Sequence, residues 1–126
     1  MARTTIPAAS IITPVGPYPT LQPAANSLDL VFQAADTVNQ NQFALGFGKY
    51  VVLARNTHAT TTYTVTFTSA VDPRTKRSGN ITAYSLEAGD QMAFLIDSQD
   101  GWKQTDGMFY LEANNASVQF CILRIT

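Results

Sequence analysis

From residue 28 onward, apolar and polar side chains alternate in short runs, spaced about ten residues apart and separated by turn-forming residues. The clearest run is TTTYTVTFTSA, residues 60–70, read as a strand over 61–70. Thr62, Thr64, Thr66 and Thr68 point one way, and Tyr63, Val65 and Phe67 point the other. Such a strand has one face to bury and one to show. Further runs are LDLVFQA (28–34), NQFALGF (41–47), YVVLARN (50–56), NITAYSL (80–86), QMAFLID (91–97), GWKQTD (101–106), MFYLEA (108–113) and SVQFCILRI (117–125). Between them stand Gly48, Asp72-Pro73, Ser78-Gly79-Asn80, Ala88-Gly89-Asp90 and Asn114-Asn115, which tolerate positive φ or stop a strand. Asp100-Gly101 and Asp106-Gly107 are candidates for tight turns. No long stretch holds a 3.6-residue apolar period. SLDLVFQAAD comes nearest and stays open between a strand and a short turn.

The pattern predicts an all-β fold, a β-sandwich or jelly-roll-like body that hides its apolar faces by packing two sheets together. Tyr63, Val65 and Phe67 are expected to face inward, as are Met92, Phe94 and Ile96. The last run presents Val118, Phe120 and Ile122 to one side and Cys121, Leu123 and Ile125 to the other. A strand apolar on both faces is either central or half covered by a partner.

Residues 1–27 read differently from the body at 28–126. They hold Pro7, Pro14, Pro17, Pro19 and Pro23, each of which fixes its own φ and removes an amide donor. This predicts an extended, Pro-rich N-terminal arm. Its apolar residues, Ile6, Ile11, Ile12, Val15, Tyr18 and Leu21, need something to lie against. That surface is either the arm's own body or a neighbouring subunit.

Composition sharpens this picture. Only 13% of the 126 residues are charged, about half the usual share. Neutral polar groups keep a surface soluble while losing little hydration when it meets another protein, as suits a structural subunit. A net charge of −1 lacks the concentrated positive field of a nucleic-acid binder. No run approaches the length of apolar chain that spans a bilayer, and no leader is expected in MARTTIPAAS. The single cysteine, Cys121, permits no internal disulfide and lies within an apolar run, as a small buried hydrophobe does.

Candidate chemistry is sparse. His58 is the only histidine and no Gly-x-Ser-x-Gly elbow accompanies it, so an exposed loop residue is weighed against a hydrolase base. The acidic stretch around Asp97, Asp100 and Asp106 fails the calcium-loop spacing. Gly46-Phe47-Gly48 lacks the third glycine of a dinucleotide fingerprint. Arg74, Lys76 and Arg77 are the densest charge in the chain, on a loop that meets water, an acidic protein surface or phosphate. Trp102, Phe109 and Tyr110 gather around a predicted hairpin, as packing or as an aromatic anchor for a partner or a sugar. No residue is assigned to catalysis, a metal or a cofactor.

The order of pieces resembles a family of small bacteriophage structural proteins, the head decoration or cement proteins. The resemblance runs through MARTTIPAASIITP, NQNQFALGFGKYVVLARNTHATTTYTVTF, ITAYSLEAGDQMAFL and the closing VQFCILRI. The basic loop and WKQTDGMFYLEA are more charged and more aromatic than the family pattern. The resemblance implies a non-enzymatic all-β protein on the outside of a phage head, made in the host cytoplasm and carried on the virion. Its partners would be the major capsid protein and itself, as a homodimer or homotrimer, with no nucleic acid and no membrane. The expected protein contacts are Ile6, Ile11, Ile12 and Tyr18 in the arm, Arg74, Lys76 and Arg77 in the loop, and Trp102, Phe109 and Tyr110. The alternatives are a carbohydrate-binding or adhesin module that uses Trp102, a head–tail or tail component, and a small hydrolase that uses His58.

Overall fold

The computed structural model describes residues 2–10, 25–26, 29–72 and 74–125. Its regular structure is all strand: β1 (Thr4–Thr5), β2 (Ala8–Ser10), β3 (Gln33–Ala34), β4 (Asn41–Ala44), β5 (Tyr50–Asn56), β6 (Tyr63–Thr68), β7 (Ile81–Leu86), β8 (Gln91–Ile96), β9 (Met108–Ala113) and β10 (Val118–Arg124). One sheet runs β1-β4-β9-β6-β7 and the other β2-β10-β5-β8, with β3 also paired to β10. Both are mixed, because β1 joins β4 and β2 joins β10 in parallel while the other pairs are antiparallel.

The alternation read along the chain becomes the core. From one sheet Phe43, Val65, Phe67, Phe109 and Leu111 point inward, and from the other Val52, Ala54, Ile96, Val118, Phe120 and Ile122 meet them. Aromatic rings chain through the middle: Phe43 stacks on Phe109 at 5.0 Å, Phe109 lies 5.8 Å from Phe67, and Phe67 stacks on Phe94 at 5.2 Å. Tyr63, Met92 and Phe94 are only partly covered but pack on this core.

Residues 2–10 belong to the body. β1 lies in one sheet and β2 in the other, so the chain crosses the sandwich at Ile6 and Pro7. The Ile6 amide donates to the Gln42 carbonyl at 2.8 Å, and its side chain is 2% exposed within the shared core. The arm proposed for residues 1–27 is therefore shorter at its start, and residues 11–24 lie outside the described residues.

Three predicted strands come out differently: NQFALGF (41–47) extends only over Asn41–Ala44, and Leu45 to Phe47 lead into the turn. Of the predicted strand 28–34, only Gln33–Ala34 pairs among the described residues 29–34, at Gln119 and Phe120 of β10, because β2 already occupies Ile122 to Arg124 along that strand. Residues 101–106 turn instead of extending. Trp102 and Lys103 amides both donate to the Gln99 carbonyl, and Gly101 and Gly107 sit at φ 84 and 83. A glycine takes that conformation without steric cost.

The threonine face of β6 looks outward and serves the fold. Between Val65 and Phe67 the pairing with β7 slips by a bulge, Ala83 takes φ 53, and the Thr66 hydroxyl accepts the displaced Ala83 amide at 3.0 Å. The polar face thus supplies an acceptor where the ladder fails.

Candidate functional site

Two loops that are distant in sequence meet at one end of the sandwich. The β6–β7 connection carries Asp72, Thr75, Arg77, Ser78 and Gly79, and the β8–β9 connection carries Asp100, Gly101 and Trp102. With Ser69 and Ala70 they line an open cavity of about 350 Å³. A main-chain bond from the Ala70 amide to the Gly101 carbonyl, 2.7 Å, ties the two loops together.

The basic loop is held in shape by Asp72. Its Oδ1 accepts the Arg74 amide at 2.8 Å and its Oδ2 the Thr75 hydroxyl at 3.0 Å. The main chain closes over it, Asp72 amide to Arg77 carbonyl at 2.9 Å and Lys76 amide to Asp72 carbonyl at 2.8 Å. The Arg74 amide first, and the Thr75 hydroxyl second, stabilise the ionised carboxylate and hold it below the usual range. Lys76 reverses the chain at φ 60. On the other flank, Ser69 Oγ accepts the Gly79 amide at 2.7 Å and Asn80 Oδ1 accepts the Ser69 amide at 2.9 Å. Arg74, Lys76 and Arg77 are consequently exposed cations on a loop whose backbone is tied down.

Trp102 forms the floor. It is half-buried, edge-on to Phe94 at 5.3 Å and tilted on Phe109 at 5.6 Å, so one flank of the indole rests on the core while the remainder faces the cavity. Gln104 braces the turn below it by donating to the Thr68 and Ser69 carbonyls, both at 3.2 Å.

The other expected contacts divide. Ile6 and Phe109, at 2% and 0% exposure, are consumed by the protein's own core and cannot reach a partner; alternation alone did not show that both sheets close over them. Ile11, Ile12 and Tyr18 lie outside the described residues. Tyr110 is half-buried on the outer face of the first sheet, away from Trp102. The Arg3 guanidinium sits 4.1 Å over its ring, and its hydroxyl donates to Asp106 at 2.6 Å. That carboxylate pushes the phenol up from its ordinary value.

His58 is a turn residue. Nδ1 accepts the Thr60 and Thr61 amides at 3.1 and 3.0 Å, and the ring meets Tyr63 edge-on at 5.5 Å. Cys121 is buried, which raises its thiol pKa. Among the described residues no three His, Cys, Asp or Glu side chains gather as metal ligands do.

Seven large apolar side chains are exposed among the described residues, Phe47, Val31 and Val38 the most. Phe47 is 84% exposed at the β4–β5 turn, and Leu95 is 54% exposed on β8. For Phe47 the flanking glycines were a signal, because Gly46-Phe47-Gly48 sets an aromatic at a tip. For Leu95 the signal was alternation, since Met92, Phe94 and Ile96 inward put Leu95 on the outer face, where its place at a sheet edge leaves it uncovered.

No protein-family model matches the chain, and neither a curated protein nor a solved structure matches it.

Proposed function

We propose that the protein is a non-enzymatic structural subunit that works by adhesion, in the role the sequence resemblance implies: a decoration or cement protein on the outside of a bacteriophage head. It bridges neighbouring major capsid subunits and travels on the virion. One observation carries the reading, the meeting of Arg77 with Trp102 at one loop-end cavity, with Arg74 and Lys76 exposed on the same loop. Tryptophan and arginine at a partly desolvated recess are the residue types that dominate protein–protein contacts. A loop already tied by Asp72 loses little conformational entropy on docking. The cations select an acidic patch on the partner, and repeated weak contacts over a symmetric shell add up to firm attachment.

The test is co-sedimentation of purified protein with undecorated capsids. Combined Arg74→Glu, Lys76→Glu and Arg77→Glu exchange leaves the β circular-dichroism signal intact and releases the protein from the shell. Wild-type-like binding by that variant refutes the site. Binding to tails or head–tail connectors in place of the shell moves the protein within the virion.

The size of the cavity favours a second reading. About 350 Å³ beside an indole and the Asp100 carboxylate matches the scale of a small-ligand pocket, as in a glycan-binding adhesin module. A glycan array that lights up with wild type and goes dark with Trp102→Ala selects that reading.

A further inference from the structure

The ends of a β-sheet carry unpaired main-chain donors and acceptors, and proteins that stay monomeric blunt them with short strands, charges, prolines or bulges. Here the strands at sheet ends are β1, β7 and β8, with β2 and the two-residue β3 both along the outer side of β10. β1 and β2 are only two and three residues long. β7 is bent by the bulge opposite Val65 and Phe67, with Ala83 at φ 53. β8 has none of these defences. It runs six residues, QMAFLI, in unbroken register with β5, and it carries no charge and no proline. The N-terminal strand β2 lies at the opposite edge of the same sheet, and among the described residues nothing pairs along the outer edge of β8.

We propose that this edge is a self-association surface, on which a second copy of the chain docks its own β8 antiparallel and joins the two sheets into one. The phase of the ladder selects the register. The Asn56 amide donates to the Asp90 carbonyl, so Met92, Phe94 and Ile96 direct their main-chain groups to β5. Gln91, Ala93 and Leu95 therefore direct theirs outward. A two-fold axis at Ala93 pairs Ala93 with Ala93 of the second copy and Gln91 with Leu95 of the second copy, giving about six hydrogen bonds. The smallest side chain of the strand then sits at the axis, facing its own copy. On the inner face Met92 meets Phe94 of the second copy.

The apolar side chains agree with that register. Leu123, Val51 and Leu95 form one row across the outer face of the sheet, ending in Leu95 at the edge with 54% exposure. Pairing covers that end. Arg55 is in register with Gln91, at the start of β8, whereas Asp97 follows its end, where Lys49 approaches at 3.2 Å. That register also sets Asp90, just before β8, beside Asp97 of the second copy, where the Lys49 ammonium offsets the carboxylate repulsion, while Arg55 is turned away towards Gln119. Each copy has one unprotected edge, and pairing uses it up, so the assembly closes as a dimer and does not grow into a filament. An edge contact buries less than the roughly 1,200 Å² of a stable interface, so the dimer is weak, with Kd on the order of 10 µM.

Sedimentation equilibrium of the full chain over a concentration series tests this. Wild type shows a monomer–dimer equilibrium. Ala93→Pro, which removes an outward amide that β5 does not use, abolishes it. Leu95→Lys, at an exposed position, weakens it at least about tenfold, and its unchanged circular dichroism guards against misfolding. Across the axis the Cα atoms of residue 93 stand about 5.5 Å apart, within reach of a disulfide. Ala93→Cys thus cross-links under mild oxidation much faster than Ser78→Cys in the exposed loop, while buried Cys121 stays silent. A monomer up to about 1 mM with no preferential Ala93→Cys cross-link overturns the proposal. So does a dimer that survives both Ala93→Pro and Leu95→Lys. Capsid binding does not enter these readouts, so the dimer and the decoration role stand or fall separately.

Discussion

Replacing Ile6 by alanine tests whether the first residues are a detachable arm or part of the sandwich. Ile6 lies where the chain passes from β1 in one sheet to β2 in the other, and its side chain is 2% exposed in the common core. The substitution removes three buried carbons and leaves a void bordered by both sheets. Large-to-small changes of this kind cost about 2–5 kcal/mol. The flanking strands are short and can move a little into the gap, which places the expected loss near 3 kcal/mol. At about 4 °C per kcal/mol for a domain of this size, the melting temperature falls by about 12 °C. Thermal unfolding by circular dichroism, with urea midpoints as a check, reads the change. Thr5→Ala, on an exposed neighbour, is the control and shifts little. An Ile6→Ala variant that melts within about 2 °C of wild type refutes the woven N-terminus and restores a free arm. The same reasoning makes removal of residues 1–25 a folding defect and not a clean binding test. Contacts by Ile11, Ile12 and Tyr18 are therefore probed by substitution.

Asn56 is 2% exposed, and its Nδ2 donates to the Thr61 and Leu86 carbonyls at 2.8 and 2.9 Å. Asn56→Ala orphans both acceptors and is expected to cost about 2–4 kcal/mol in urea unfolding. Asn56→Asp, which cannot donate when ionised, fares no better at neutral pH. Asp36 accepts the Asn39 and Val38 amides and the Thr4 hydroxyl, and these donors, the Asn39 amide foremost, lower its pKa to about 2. A folded-state pKa below the unfolded 3.8 means its stabilisation is present above that value and is lost as pH falls through about 2. Asp36→Asn should therefore flatten the acid limb of the stability–pH curve between those values, and an unchanged limb would show that Asp36 does not tie β1 to its turn.

Alternation made much of the fold legible. Tyr50–Asn56 and Met108–Ala113 fall where the apolar period placed them, and β6, β7, β8 and β10 differ from their predicted spans by a residue or two at their ends. A strand's two faces are set by side-chain period, and that information is local. The same locality explains the misses. GWKQTD has residues that a strand accepts, yet its backbone turns, because main-chain bonds to Gln99 and Gln104 and two left-handed glycines outweigh propensity.

Composition and order along the chain determined an all-β body with neutral polar outer faces, and they supplied Trp102 and the basic loop as separate candidates. Tertiary structure alone decided that Arg77 and Trp102 share a cavity, that Ile6 and Phe109 are core, and that β8 is the undefended edge. The reason is physical. Which strands neighbour one another, and so which edge is left over, depends on main-chain hydrogen bonds between distant segments, and a backbone amide carries no mark in the sequence of the partner it will find.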